Sequence, residues 1–122
     1  MMRRLVPFSQ ADSAPSHDRP RPERLVRGNP ARTTWEHYAN PTGEVSCGVW
    51  ACEVGAWRIA FDESSDEYFH VLEGRIRITD DAGDSCEFGP NEACVILARF
   101  AGVFEVLEPV KKHYVMVRRK GG

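Results

Sequence analysis

From Trp35 onward, apolar residues recur in short runs with a period of two rather than 3.6. Trp57, Ile59 and Phe61 alternate with Arg58 and Ala60, a pattern that buries one face of a strand. Ile76 and Ile78 alternate with Arg75, Arg77 and Thr79 in the same way. Strands are predicted over 45–54, 57–61, 67–79 (two runs broken at Gly74), 85–88, 93–97, 103–107 and 114–118. Polar and turn-forming residues separate them: Asp62-Glu63-Ser64-Ser65-Asp66, the hairpin loop Asp80-Asp81-Ala82-Gly83-Asp84, Gly89-Pro90-Asn91, and Pro109 as a break. No helical period persists for three turns. Many short strands with frequent turn signals predict an all-β sandwich or barrel. A jelly roll manages the sheet edges of such a protein by wrapping two sheets over one core.

The first 34 residues read differently. Pro7, Pro15, Pro20, Pro22 and Pro30 are mixed with Ser, Asp and Arg. Proline fixes the backbone and removes an amide donor, so an extended Pro/Arg-rich arm (1–34) is expected, outside any sheet or helix interior, ahead of one barrel domain (35–122). The arm holds Arg3, Arg4, Arg19, Arg21, Arg24, Arg27 and Arg32 against Asp12, Asp18 and Glu23. Leu5, Val6 and Phe8 are free to pack on the body or on a neighbouring subunit.

Composition narrows the classes. A chain of 122 residues, 42% apolar and 28% charged, suits a single globular domain. Its net charge of −2 gives no reason to expect nucleic acid or an anionic membrane as partner. No apolar run approaches the ~20 residues that span a bilayer. The start, Met1-Met2-Arg3-Arg4-Leu5-Val6-Pro7, has charge but no apolar stretch after it, unlike a secretory signal. Cys47, Cys52, Cys86 and Cys94 form no C-x-x-C pair and no known zinc spacing, which suggests reduced thiols in a cytoplasmic protein. G-x-S-x-G, H-E-x-x-H and a phosphate-cradling glycine loop are all missing.

Specific residues choose among the β folds. Glu67 followed by Val71-Leu72-Glu73-Gly74-Arg75 resembles the E-x-x-x-V-L-E-G heart of the first cupin motif. Gly48-Val49-Trp50, Gly55, Asp80-Asp81-Ala82-Gly83, the run 102–108 and Val110-Lys111-Lys112-His113-Tyr114-Val115 extend the match. Over residues 30–118 the chain is similar to single-domain cupins of the ureidoglycine aminohydrolase cupin-domain type. The resemblance implies a cupin-type jelly-roll barrel, commonly a homodimer, with a pocket open at one end. It also implies a transition metal held by an H-x-H pair, a glutamate and a late histidine. Glu67 matches the glutamate. The pair would fall at Phe61 and Glu63, or at Ala60 and Asp62, and the late ligand near Gly102. None of these is histidine. The amide that replaces the late histidine in the ureidoglycine enzymes is missing too, since glycine has no donor.

Glu63 and Glu67, four apart across a turn, are the weak candidates for a carboxylate pair holding a divalent metal. Glu67 is also the best catalytic candidate, as an acid or base or as a ligand anchor. Burial in the barrel penalises its charge unless a cation or donor pairs with it. If Glu67, Phe69 and Val71 face inward, alternation turns Tyr68, His70 and Leu72 outward, away from any metal. His113 reads as part of a solvated basic turn beside Lys111 and Lys112, while His17 and His37 sit in or near the arm with no ligand pattern. The resemblance points to Trp50, Phe104 and Tyr114 at the barrel mouth, and to Lys112 as a contact for an anionic ligand. These ligand-binding candidates, with Glu67, favour a small barrel that binds a small polar or anionic metabolite. Two alternatives stand beside it: a metal-dependent hydrolase or isomerase of a small ureide, amine or carboxylate, and a dimeric interaction scaffold.

Overall fold

A computed structural model describes residues 4–120; residues 1–3, which include Arg3 of the predicted arm, and 121–122 lie outside it. Among the described residues nine strands form one curled sheet: β1 (Ser16–Asp18), β2 (Leu25–Arg27), β3 (Arg32–Ala39), β4 (Val45–Cys52), β5 (Gly55–Ala60), β6 (Ser65–Asp80), β7 (Ser85–Phe88), β8 (Ala93–Ile96) and β9 (Ala101–Arg118). Among the described residues no helix is long and apolar enough to cross a membrane.

The two longest strands build the barrel. β6 and β9 pair antiparallel from Ser65↔Arg118 to Asp80↔Gly102, with register shifts between Val71 and Ile76. On one side of those shifts β9 pairs with β4 and β6 pairs with β8; on the other, β9 pairs with β5 and β6 with β7. Each long strand thus serves two walls, β1-β3-β4-β9-β6-β8 and β2-β5-β9-β6-β7. This corrects the predicted breaks at Gly74 and Pro109, which are bends in continuous strands. Gly74 has φ +85°, and a Cβ there would lie 2.0 Å from the Pro109 carbonyl oxygen. The two residues cross where the sheet folds, and irregular pairing of this kind is how a sheet bends sharply.

The arm departs from expectation as well. Its described residues are largely exposed but not simply extended: 3-10 turns form at Phe8–Gln10 and Pro22–Arg24, Ser16–Asp18 pairs with β3 and Leu25–Arg27 with β5. These short strands form one edge of each wall, and β8 and β7 form the other. Proline tolerates that position, because an edge strand needs only one row of ladder hydrogen bonds. Phe8 packs edge-on against His37 and His113 at 4.8 and 5.3 Å, whereas Leu5 and Val6 stay exposed.

Between the walls, Phe69, Val71, Ile76 and Val106 are fully buried, with Trp57, Ile78, Ile96 and Phe104 nearly so. The outer faces differ in character. Outside the second wall runs a ladder of ion pairs, Arg27–Glu105–Arg77–Glu87–Arg75, at 2.6–3.2 Å. Outside the first wall the register lines up Tyr38, Cys47, Val115, Tyr68 and Val95 across five strands; Tyr38, Tyr68 and Val95 are exposed.

Candidate functional site

Inward-facing side chains of the two walls enclose a cavity of about 360 Å³. Trp50, Glu67, Phe104, Lys112 and Tyr114, the five predicted ligand-binding residues, all line it. Glu67 sits on β6, Lys112 and Tyr114 on one half of β9, Phe104 on the other half, and Trp50 on β4.

A buried ion pair forms the polar centre. Lys112 Nζ donates to Glu67 Oε2 at 2.8 Å, with the two side chains only 5% and 12% exposed. The register sets Val71 opposite Lys112 and Met116 opposite Glu67, an offset of about 13 Å at 3.3 Å per residue. Two extended side chains leaning toward each other along the wall close that gap. Lys112 Nζ passes the rings of Phe69, Trp50 and Phe104 at 4.5, 4.7 and 5.1 Å. Their π faces stabilise the ammonium that burial would otherwise penalise. Trp50 meets Phe104 edge-on at 5.7 Å, and Trp57 tilts against Phe104 at 5.2 Å. Lys112 therefore lies among aromatic rings in the barrel interior. Glu67 Oε1, its second carboxylate oxygen, has no hydrogen-bond partner among the described residues.

Tyr114 adds a neutral phenol to the lining of the same cavity. Burial, then the nearby Glu36, Cys47 and Glu67, push its pKa up to about 12. Glu36 reaches the same level across β4, through the pairings Glu36↔Gly48 and Gly48↔Tyr114. A Cβ on Gly48 would meet the Trp35 carbonyl oxygen at 1.9 Å, so only glycine fits there. Arg32 and Arg118 complete the charged lining. Arg32 is held by Asp18 of β1 at 2.7 and 2.8 Å. Sequence reasoning missed Glu36, Arg118 and Met116. Period-two alternation on from Lys112 and Tyr114 would have found the last two; Glu36 needs the register across Gly48.

The metal candidates do not assemble. Glu63 is 77% exposed and pairs with Arg99 at 3.4 Å on the surface; Glu67 has taken Lys112 instead of a second carboxylate. Phe61 lines the cavity but offers no donor. Asp62 accepts hydrogen bonds from Ser64 in its own turn, and Ala60 is exposed. A side chain at Gly102 would collide with the Thr79 carbonyl oxygen at 2.1 Å. Among the described residues no three His, Cys, Asp or Glu side chains cluster as a metal would need. The residues present do not fit the metal that the cupin resemblance implies.

The histidines lie outside the barrel. Tyr68 is exposed, and His70 pairs across strands with His113, their rings 6.4 Å apart. His113 is not in a solvated turn but mid-strand and half-buried on β9, under Phe8. Burial, with His70 and His37 nearby, lowers its pKa. His37 shares a 2.8 Å hydrogen bond with Ser13 Oγ.

A curled sheet of two walls with an ion pair set into its cavity agrees with the comparison of families: residues 39–114 match the EutQ-like cupin domain. The chain belongs to that family. No curated protein matches it. Among solved structures, a protein of unknown function of the DUF861 family from Pseudomonas syringae pv. tomato has a TM-score of 0.75 at 18% identity, covering 88% of this chain and 45% of that one. The Clostridium difficile EutQ protein has a TM-score of 0.63 at 17% identity, covering 75% and 65%. An ectoine synthase from P. lautus has a TM-score of 0.61 at 10% identity, covering 71% and 64%. This cupin spans under two thirds of each of these chains. At such identities the likeness concerns the fold, and one fold hosts many functions.

Proposed function

We propose that this cupin binds a small polar or anionic metabolite in its barrel, with Glu67 and Lys112 as the polar floor. The observation that carries the reading is a nearly buried ion pair beside a cavity, with one carboxylate oxygen uncommitted. Buried charges are costly unless paired, and a mostly apolar cavity with a few placed polar groups suits a small ligand. Trp50, Phe104 and Tyr114 supply the walls, while Arg118 adds positive charge to the lining. A metal-dependent hydrolase of the ureidoglycine type lacks support, since the residues at its ligand positions give no donor set. The cytoplasm, where the free thiols would stay reduced, is the compartment in which the ligand would be met. A homodimer belongs to the same reading, because the apolar outer face of the first wall contrasts with the ion-pair ladder outside the second.

The test is a thermal-shift screen of small carboxylates, amines and ureides against the wild type and Glu67→Gln, with light scattering to read the subunit number. A ligand that stabilises the wild type and is weakened by Glu67→Gln is the expected result. A panel in which every hit binds both proteins equally would overturn the assignment of Glu67.

A further inference from the structure

The geometry points to Lys112 as a covalent site: its amine condenses with a small carbonyl compound in the cavity to form an imine, with Glu67 carrying the proton. This rests on the proposed binding reading but adds a chemical step to it. The chain has three lysines, Lys111, Lys112 and Lys120. Lys111 and Lys120 are exposed, whereas Lys112 is 4% exposed and lines the cavity. A place on the cavity lining meets the first requirement of a covalent site, access to a small ligand held out of bulk water. The second requirement is a base within reach, which the 2.8 Å contact with Glu67 supplies.

The step balances without an outside reagent. Glu67 takes one ammonium proton, leaving Lys112 with a neutral amine. Its lone pair attacks the carbonyl carbon, the C–N bond forms, and the carbonyl oxygen becomes the hydroxyl of a carbinolamine. Glu67 returns its proton to that hydroxyl, water leaves, and a protonated imine remains on Nζ. The charges before and after are the same: one cation on nitrogen, one carboxylate on Glu67. The site already stabilises that distribution, through the ion pair and the Phe69, Trp50 and Phe104 rings at 4.5–5.1 Å. A cavity of about 360 Å³ admits only a small carbonyl compound. Tyr114, kept neutral by burial, is placed to donate a hydrogen bond to its oxygen.

The probes are propanal and pyruvate, each incubated with the full chain and sodium cyanoborohydride, which reduces an imine to a stable secondary amine. Intact mass and peptide mapping give the site, with Lys111 and Lys120 as internal references. Labelling of Lys112 ahead of both exposed lysines, by either probe, is expected. Preference for pyruvate would assign an anionic carbonyl ligand, and preference for propanal a neutral one. Glu67→Gln should slow Lys112 labelling by about 10²-fold, the scale of a positioned acid–base group, without slowing Lys111 or Lys120. Circular dichroism of the variant checks that the rates compared belong to folded proteins. Labelling confined to Lys111 and Lys120, or equal rates at Lys112 in both proteins, would overturn the covalent role. The thermal-shift screen reads non-covalent binding separately, so a ligand that binds and leaves Lys112 unmodified retires this step while preserving the binding reading.

Discussion

Lys112→Met tests the centre of the barrel most directly. The substitution keeps a long, flexible, apolar side chain among Phe69, Trp50 and Phe104 but removes the ammonium. Glu67, 12% exposed in the native pair, is then a carboxylate without its cation. Removing one partner of a buried pair costs about 3–5 kcal/mol, chiefly for the charge left behind. Loss of the cation–π contacts adds to this by about 0.5–2 kcal/mol, which retained Met–aromatic packing partly offsets. A cost of about 4 kcal/mol, at roughly 4 °C per kcal/mol for a domain of this size, lowers Tm by about 15 °C. Replacing both residues, as Lys112→Met with Glu67→Leu, removes both charges together and should recover most of the loss, because an apolar pair avoids the desolvation cost. Urea denaturation of the wild type, Lys112→Met, Glu67→Leu and the double variant gives the coupling energy of the cycle. Lys112→Met within about 1 kcal/mol of the wild type would refute the reasoning, since a cost that small belongs to a surface pair.

Two further results follow from the geometry. Gly74→Ala should destabilise by about 3 kcal/mol or more, because a Cβ at φ +85° would lie 2.0 Å from the Pro109 carbonyl and overpacked backbone cannot yield cheaply; urea denaturation checks it, with Gly83→Ala, where a Cβ meets nothing within 4 Å, as the control for positive φ alone. Acidification should also weaken the fold, since His113 has its pKa lowered from 6.5 by burial and by His70 and His37. The unfolded chain therefore binds that proton first. Stability is fully present above pH 6.5, falls as pH drops through it, and levels off below the folded-state value. The lowered carboxylates Asp62 and Asp66 act only below 3.8, outside this window. Melts between pH 7.5 and 5.5 should show a slope that His113→Gln reduces.

Local pattern decided a good deal of this protein. The alternation of Trp57, Ile59 and Phe61, and of Ile76 and Ile78, fixed which faces turn inward, because successive side chains of a strand point to opposite sides. The motif around Glu67 and Gly74 then selected the barrel and placed Trp50, Phe104, Lys112 and Tyr114 at its cavity. Alternation also turned His70 outward. Pairing between distant strands decided the rest. Gly74 and Pro109 look like strand ends in isolation and become bends only because they cross each other in one continuous pair. The arm looks unpaired until the open edges of β3 and β5 are there to receive it. Glu63 and Glu67 are neighbours in sequence yet part, one to Arg99 and solvent, the other to Lys112. That last pair, 45 positions apart, exists through the β6–β9 register alone. A sequence records which residues carry charge; desolvation and register determine which of those charges meet.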